Sequence, residues 1–162
     1  MRIGVVSDTH NHLPNVRRIV ELFRAAGVSR VIHTGDITQA KTLDAFAHLG
    51  VPLYGVFGNN DVERDSLLEA ARRHGIALVD PPLRLVWAER RIVVVHDPRE
   101  LATLDGDDHH VALHGHVHRQ VIERRATGRL VFNPGECAGH VPGLNAVGVL
   151  DLATLEPEIL RF

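Results

Sequence analysis

Apolar runs alternate with segments of helical periodicity in the first half of the chain. Ile3–Val6 is a short apolar run of the kind that forms a buried strand, and the apolar residues after it recur at helical spacing until Gly27. The alternation predicts strands at Ile3–Val6, Val31–Ile32 and Leu53–Phe57, and helices around Val16–Phe23, Ala40–His48 and Arg64–His74. Strands joined by helical crossovers are typical of a parallel sheet.

The second half of the chain contains short strand patterns with few helices between them. Turns rich in proline and glycine separate these runs, among them Pro81-Pro82 and Pro142-Gly143. The predicted strands are Leu83–Trp87, Ile92–Val95, Val111–Leu113, Gln120–Glu123, Leu130–Phe132, Ala146–Leu150 and Leu155–Leu160. We therefore expect an α/β fold in which two sheets pack face to face with helices outside, formed by residues 1–162 as one domain.

Composition narrows the functional classes. The chain has 162 residues, of which 44% are hydrophobic and 23% charged, and this excludes a disordered tail, a collagen-like rod and a membrane protein. No apolar stretch approaches the roughly 18 to 20 residues that span a bilayer, and the N-terminus does not resemble a signal peptide. A formal net charge of −2 gives no basic track for nucleic acid. The lone Cys137 excludes a disulfide framework, so we expect a cytoplasmic protein.

Histidine is unusually frequent, with 12 residues, and its positions are informative. Five predicted strands end in Asp, His or Asn: Ser7-Asp8-Thr9-His10, His33-Thr34-Gly35-Asp36, Gly58-Asn59-Asn60-Asp61, His96-Asp97 and His114-Gly115-His116-Val117-His118. Ligands of open α/β sheets bind outside the carboxyl ends of the strands, so these loops converge if the strands are parallel neighbours. Imidazole, carboxylate and amide donors without thiolate suit Mn, Fe, Ni, Co or Zn.

Spacing within two of these loops supports chelation. Asp8 and His10 lie two residues apart, as do His116 and His118, and on an extended segment such pairs point to one side. The candidate ligands are Asp8, His10, Asp36, Asn59, His96, His116 and His118. They are too many for one tetrahedral ion but suffice for two ions that share a carboxylate, for which Asp36 is the natural bridge. Each motif alone also has a structural explanation as a cap or a turn, but the agreement of the strand ends favours a metal site.

These motifs resemble those of the calcineurin-like metallophosphoesterases, which carry, in this order, D-x-H, G-D, G-N-H-D, a lone histidine after a strand, and G-H-x-H. The matching residues are Asp8-Thr9-His10, Gly35-Asp36, Gly58-Asn59-Asn60-Asp61, His96 and Gly115-His116-Val117-His118, followed by the turn Asn133-Pro134-Gly135. In size and motif form the chain is similar to the small phosphodiesterases of the YfcE type. The resemblance implies a four-layer α-β-β-α sandwich of two mixed sheets.

The resemblance also implies two divalent metal ions and a mechanism. It assigns Asp8, His10, Asp36 and His118 to the first ion, and Asp36, Asn59, His96 and His116 to the second. The family's nucleophile is a hydroxide that bridges the two ions and attacks phosphorus in line with the leaving group. We expect Mn, with Ni, Fe, Co or Zn as alternatives, and a small phosphodiester as the substrate.

Two positions depart from the family pattern. Asn60 stands where the wider family has the histidine of G-N-H-D, which contacts phosphate and assists the leaving group, and an amide cannot donate a proton as an acid. The small phosphodiesterase branch commonly lacks that histidine as well. His12 is the candidate replacement acid, with a solvated loop histidine as the alternative. His96 is followed by Asp97-Pro98, where the branch usually has Gly-His, so the substrate contacts that the resemblance implies for this loop are not carried over.

Other interpretations concern the whole protein and single residues. Some relatives are protein-binding scaffolds with a degraded metal site, but here every candidate ligand position holds a competent residue. A nuclease would also cleave phosphodiesters, although the net charge offers no basic track. Asp61 is expected to cap the following helix or to support the site, Asp107-Asp108 to form a solvated acidic turn, and His140 to lie in a loop. The sequence leaves the oligomeric state open.

Overall fold

Residues 1–104 and 108–162 are described by the computed structural model, and they form two β-sheets with helices outside them. The helices are α1 (Leu13–Ala26), α2 (Ala40–Phe46) and α3 (Arg64–His74), with 3₁₀ segments at Ala47–Leu49 and Pro98–Leu104. The strands are β1 (Arg2–Val6), β2 (Arg30–His33), β3 (Leu53–Val56), β4 (Ala77–Val79), β5 (Leu83–Trp87), β6 (Arg90–Val94), β7 (Val111–Leu113), β8 (Val121–Arg124), β9 (Leu130–Asn133), β10 (Ala146–Asp151) and β11 (Glu156–Arg161).

Both sheets contain parallel and antiparallel strands. The first has the order β11-β10-β1-β2-β3-β4, and the second has the order β5-β6-β7-β9-β8. Strands β1 to β4 are parallel, as their helical crossovers predict, whereas β10 pairs with β1 in antiparallel register. In the second sheet β6, β7 and β9 are parallel, and β5 and β8 form antiparallel edges. The predicted fold class of two mixed sheets is therefore confirmed.

Alternation along the strands separates two apolar layers. Ile3 and Val5 of β1 lie in the cluster between the two sheets, while the next residue, Val6, lies in the cluster beneath the helices. Fully burying a side chain of this size stabilises the fold by about 1.5 to 3 kcal/mol. On the outer face of the second sheet, a small cluster includes Leu101 and Leu104 of the 3₁₀ segment. The layers are thus helices, sheet, sheet and a thin outer layer formed by that segment.

Helix α1 packs closely against β1. Its buried residues are Val16, Ile19, Val20 and Phe23, as the helical spacing predicts. Gly4 permits this packing, because a Cβ at that position would lie 2.8 Å from Phe23 Cε1. The helix ends at Gly27, whose φ of 64° is left-handed. The segment between β1 and α1, which carries the first predicted ligands, is therefore held at both ends.

Several boundaries differ from the sequence-based expectation. Strand β4 was not predicted, because Ala77–Val79 is too short to show a period. Helix α2 ends at Phe46 rather than at His48, since Ala47–Leu49 tightens into a 3₁₀ turn, as is common at helix ends.

The expected acidic turn lies only partly in the described region. Asp107 is outside the described residues, while Asp108 is exposed and its Oδ2 lies 2.6 Å from Arg91 Nη2.

Within residues 1–104 and 108–162, no helix has both the length and the hydrophobicity needed to cross a membrane.

Candidate metal centre

Loops that follow β1, β2 and β3 of the first sheet meet loops that follow β6 and β7 of the second. His96 Nδ1–H donates to the Thr34 carbonyl oxygen across the two sheets (2.9 Å), and the Gly115 N–H donates to the His96 carbonyl oxygen (3.0 Å). The N–H of His116 lies 3.1 Å from Asp8 Oδ2. The strands are therefore not parallel neighbours in one sheet, but their carboxyl ends still converge on one edge of the sandwich.

Four of the expected ligands form a compact group. They are Asp8, His10, Asp36 and His118, and one ligand atom from each lies within 4.8 Å of all the others. His10 Nε2 lies 3.3 Å from His118 Nε2 and 3.4 Å from Asp36 Oδ2. His118 Nε2 lies 3.4 Å from Asp8 Oδ1. Two imidazole nitrogens and two carboxylate oxygens that face one point could hold a divalent metal ion.

Asn59 connects the remaining expected ligands. Its Oδ1 lies 2.9 Å from His96 Nε2 and 2.9 Å from His116 Nδ1. Because His96 Nδ1–H donates to a carbonyl oxygen, Nε2 is the ring nitrogen left to act as a ligand. His96 Nε2 also lies 3.5 Å from Asp36 Oδ1, while Asp36 Oδ2 faces His10. The two oxygens of Asp36 therefore face different groups, an arrangement that is compatible with a bridging carboxylate.

Burial and hydrogen bonding set the protonation of these side chains. Burial raises the pKa of Asp8. Burial acts in the same direction on Asp36, but two sets of hydrogen bonds outweigh it, one from His96 Nε2–H when that ring is protonated and one from Asn60, and the pKa of Asp36 is lowered. The pKa of His10 is lowered, mainly because burial disfavours the imidazolium. Near neutral pH Asp36 is thus ionised and His10 neutral, which are the forms that bind metals.

The backbone of the site is strained. Left-handed φ values between 41° and 68° occur at Asp8, His10, Asp36, His116 and His118. For residues other than glycine, this region costs about 1 to 2 kcal/mol each. The premise that each D-x-H or H-x-H pair lies on extended backbone is therefore wrong. Asp8 and His10 still converge in one ligand group, whereas His118 faces Asp8 and His116 faces Asn59. Strain of this kind clusters at functional sites, where the surrounding structure enforces it.

The donor chemistry of the centre fits divalent metal ions. Its donors are imidazole nitrogens and carboxylate or amide oxygens, which suit transition metals of borderline or hard character. Cys137 is fully buried, and its Sγ–H donates to the Ala146 carbonyl oxygen (3.2 Å). Burial raises the pKa of Cys137, so this thiol stays protonated and does not act as a ligand.

His33 connects the loop that follows β1 to the loop that follows β2. Its Nδ1 accepts the Gly35 N–H (3.1 Å), so Nε2 carries the proton and donates to Thr9 Oγ1 (3.0 Å). Full burial lowers the pKa of His33 to about 3, and the ring is neutral. This histidine positions the loops rather than binding an ion.

Asp61 supports the loop that carries Asp36. Its carboxylate accepts the N–H groups of Asp36 (3.0 Å), Thr38 (2.6 Å) and Gly58 (2.6 Å). It does not cap α3, whose N-cap residue is Glu63. Of the two roles expected from the sequence, the structure thus shows the supporting one.

Comparison with known proteins identifies the family of this centre. The model of the calcineurin-like phosphoesterase superfamily domain matches residues 1–155. The chain belongs to the calcineurin-like phosphoesterase superfamily.

Individual members of the superfamily are similar over most of their length. The chain is 34% identical to phosphodiesterase MJ0936 of Methanocaldococcus jannaschii over 156 residues, which cover 93% of each chain. It is 28% identical to phosphodiesterase YfcE of Escherichia coli over 153 residues, which cover 83% of this chain and 78% of the relative. A solved structure described as a novel archaeal phosphodiesterase matches all of both chains, with a TM-score of 0.91 and 31% identity.

The superfamily histidine of G-N-H-D is replaced by Asn60, and the structure shows what the amide does. The Asn60 N–H donates to Asp36 Oδ1 (2.9 Å), and Asn60 Nδ2 donates to Asp36 Oδ2 (2.8 Å). Both contacts favour the ionised form of Asp36. Asn60 therefore stabilises the carboxylate that faces both ligand groups.

His12 lies at the start of α1. Its Nδ1 accepts the Asn15 N–H (3.4 Å), so in the neutral ring Nε2 carries the proton. A Cβ added at Gly139 would lie 3.4 Å from this Nε2, so the glycine leaves space beside it. The imidazole thus caps a helix through one nitrogen and presents an N–H donor on the other.

Two residues at the centre were not predicted as site residues. Glu136 is buried, and its Oε2 accepts from His118 Nδ1 at 3.3 Å. His140 stacks on the His118 ring, with centroids 5.4 Å apart and an interplanar angle of 19°. Both lie in the aperiodic segment between β9 and β10. The sequence feature that could have identified them is their position shortly after the superfamily turn Asn133-Pro134-Gly135.

A cavity of about 550 Å³ opens beside the second ligand group. Its lining includes Asn59, His96, His116, Asp97 and Arg99. Arg99 Nε and Nη2 both bind the Asp97 carboxylate, and this hydrogen bonding lowers the pKa of Asp97 to about 2. The loop after His96, which departs from the pattern of the small phosphodiesterase branch, therefore carries an ion pair at the cavity wall.

Proposed function

We propose that the chain is a phosphodiesterase that depends on two divalent metal ions. Asp8, His10, Asp36 and His118 would hold the first ion, and Asp36, Asn59, His96 and His116 the second. The observation that carries this proposal is that Asp36 Oδ2 faces His10 at 3.4 Å while Asp36 Oδ1 faces His96 at 3.5 Å. The names of the similar relatives, both phosphodiesterases, support the same activity. We also treat residues 1–162 as one catalytic domain.

The ions and the protein contribute different parts of the chemistry. When bound, two divalent ions supply Lewis-acid charge to the phosphoryl group and lower the pKa of water toward neutrality. Asp36 would supply a carboxylate ligand to both ions, and Asn60 donates two hydrogen bonds that favour the ionised form of that carboxylate. The cavity beside His96 and His116 gives room for one ester group of the substrate.

Substrate preference follows from the absence of a histidine at position 60. Asn60 cannot protonate a leaving group, so esters whose leaving groups depart unaided are favoured. We therefore expect hydrolysis of activated phosphodiesters and slow turnover of alkyl monoesters. His12 is the candidate acid for less activated groups, because its Nδ1 is occupied by the Asn15 N–H and its Nε2–H is left to donate.

The metals and the substrate class can be narrowed by donor chemistry and charge. Nitrogen and oxygen donors accept several ions; we expect Mn, with Ni, Fe, Co or Zn as alternatives. A net charge of −2 argues for a small phosphodiester rather than a nucleic acid. A cytoplasmic location stays a prediction from the sequence. A protein-binding scaffold with a vestigial site is not favoured, since the ligand positions are all occupied by competent residues.

Hydrolysis of bis-p-nitrophenyl phosphate tests the proposal. The purified protein would be stripped with chelator and assayed with Mn²⁺, Ni²⁺ or no metal, beside the monoester p-nitrophenyl phosphate. We expect metal-dependent turnover of the diester. Asp36→Asn should lower the rate of diester hydrolysis by more than about 100-fold. This exceeds the loss that usually follows when a residue hydrogen-bonded to a metal ligand is changed.

The matched control is Asp65→Asn, which changes an exposed carboxylate on α3 and should hydrolyse the diester at the wild-type rate. No turnover with any metal would overturn the enzymatic function and leave the scaffold as the better interpretation.

A further inference from the structure

A third imidazole lies against the two histidines of the compact ligand group. The His140 ring centroid is 5.4 Å from that of His118 and 5.6 Å from that of His10. One ring nitrogen from each of the three histidines lies within 4.8 Å of the others. None of the superfamily motifs matched in this chain includes position 140, and the expected ligand set for two ions is complete without it.

We propose that His140 is an additional ligand of the ion held by Asp8, His10, Asp36 and His118. The inference rests on the proposed function, because it concerns the same metal centre, and it adds a ligand that determines which ion is preferred there. His140 is exposed, whereas Asp8 and Asp36 are buried. The third imidazole therefore lies on the solvent side of His10 and His118, the two members of the ligand group with which it forms a set of three ring nitrogens.

Glu136 holds the segment that presents His140. Its Oε2 accepts from His118 Nδ1 at 3.3 Å, and its Oε1 accepts the N–H of Val141, the residue after His140, at 3.1 Å. One buried carboxyl group thus fixes both His118 and the backbone beside His140.

Two further contacts anchor the same segment. Asn145 Oδ1 accepts the Gly139 N–H (3.1 Å), and Asn15 Nδ2 of α1 donates to the Cys137 carbonyl oxygen (2.8 Å). The position of the third imidazole is consequently determined by the fold on both sides, which distinguishes it from a histidine on an unsupported loop.

A third imidazole changes metal preference in a definite direction. Imidazole suits Zn, Fe, Ni and similar ions, while carboxylate, carbonyl and water ligands suit Mn. His140 should therefore strengthen the binding of Co²⁺ or Ni²⁺ more than that of Mn²⁺. Removing the ring should lower the ratio of Co²⁺ affinity to Mn²⁺ affinity at one of the two sites.

Metal titration without substrate tests this inference. Co²⁺ binding would be followed by visible absorption and Mn²⁺ binding by calorimetry, for the wild type, His140→Ala and His48→Ala. His48 is an exposed histidine near the end of α2 and serves as the control. We expect His140→Ala to lower the Co²⁺ affinity of one site by about tenfold or more. A loss of this size is the minimum that we expect, because changing a residue that only hydrogen-bonds to a metal ligand already costs about that much. Its absorption band should change, Mn²⁺ binding should change less, and His48→Ala should match the wild type.

The possible results separate this inference from the proposed function. If His140→Ala binds two Co²⁺ with wild-type affinity and spectrum, His140 is not a ligand, whatever the activity. If the ring is needed for tight Co²⁺ binding but no metal form hydrolyses a phosphodiester, the additional ligand is supported and the proposed function is wrong.

Discussion

Glu136 Oε2 lies 3.3 Å from His118 Nδ1, on the opposite side of the imidazole from the Nε2 that faces Asp8. Glu136 is only 1% exposed, so its hydrogen bond is shielded from water. A carboxylate that accepts from the outer nitrogen of a ligand histidine fixes the tautomer, orients the ring and makes Nε2 more basic. We therefore expect Glu136, directly after the turn Asn133-Pro134-Gly135, to influence metal affinity.

Glu136→Gln should weaken metal binding while the fold is retained. The amide keeps the volume of the side chain but accepts a weaker hydrogen bond from His118 Nδ1. Changes of this kind cost about 10-fold to 100-fold in metal affinity, and we expect a loss near the lower value. Calorimetric titration with Mn²⁺ measures it, with Glu69→Gln on the exposed face of α3 as the control. Equal affinities for Glu136→Gln and the wild type would show that this contact does not influence the centre.

Asn60→His should extend activity toward phosphomonoesters. The change restores the histidine of G-N-H-D, and a correctly placed acid contributes about 100-fold to 10,000-fold in rate. Because the native Asn60 contacts to Asp36 are lost, we expect only part of this gain, about tenfold, on monoesters with alkyl leaving groups. Steady-state rates on alkyl monoesters and bis-p-nitrophenyl phosphate check it. A variant that loses activity on both classes equally would mean that the Asp36 contacts matter more than the missing acid.

The sequence predicts the candidate ligands at the strand ends but not the residues that contact them from the segment between β9 and β10. The candidate ligand positions follow from one rule, that polar residues at the carboxyl ends of strands converge. The rule assumes that the strands are neighbours in one sheet, and the loops meet even though three of the strands lie in one sheet and two in the other. Glu136 and His140 follow no such rule. They reach His118 from an aperiodic segment, through contacts between residues 18 or more positions apart that no local pattern encodes.

The backbone conformation of the site loops could not be predicted from the sequence either. Left-handed φ values would be expected at glycines, yet His10 and Asp36 adopt them at 41° and 58°. Tertiary contacts enforce these conformations, for example the Asp61 carboxylate that accepts the Asp36 N–H (3.0 Å). Local preference therefore could not reveal which loop residues would be strained, even at positions where the residue types indicate candidate metal ligands.

Substitutions at His12 separate its cap from its proposed role as an acid. His12→Asn retains a side chain that can accept the Asn15 N–H, whereas His12→Ala removes the cap and should cost about 1 kcal/mol of stability. Both variants lose the Nε2–H donor. We expect both to hydrolyse bis-p-nitrophenyl phosphate normally, because that leaving group needs no acid, and to be about tenfold slower on diesters with alkyl leaving groups. Unchanged rates on both substrates would leave His12 with the cap alone.

The contact between α2 and α3 predicts a pH-dependent contribution to stability far from the metal centre. Asp44 Oδ1 lies 2.7 Å from His74 Nε2 and 2.8 Å from Arg73 Nη2, and the hydrogen bond from His74, followed by that from Arg73, lowers the pKa of Asp44. A carboxyl group whose pKa is lower in the folded state adds stability above its unfolded pKa of about 3.9 and loses that contribution as pH falls through the folded value. Because the group is 45% exposed, screening limits the contribution to at most about 1 kcal/mol.

Urea unfolding of the metal-free protein at pH 7 and pH 3 measures this contribution. Asp44→Asn should lower the free energy of unfolding at pH 7 by about 0.5 to 1 kcal/mol, and the difference from the wild type should shrink at pH 3, below the pKa of about 3.9 that the Asp44 carboxyl group has in the unfolded chain. Glu69→Gln, on the exposed face of α3, should change little at either pH. A difference that is equally large at both pH values would mean that Asp44 stabilises the helix pair through packing or neutral hydrogen bonds, and that its ionisation contributes nothing.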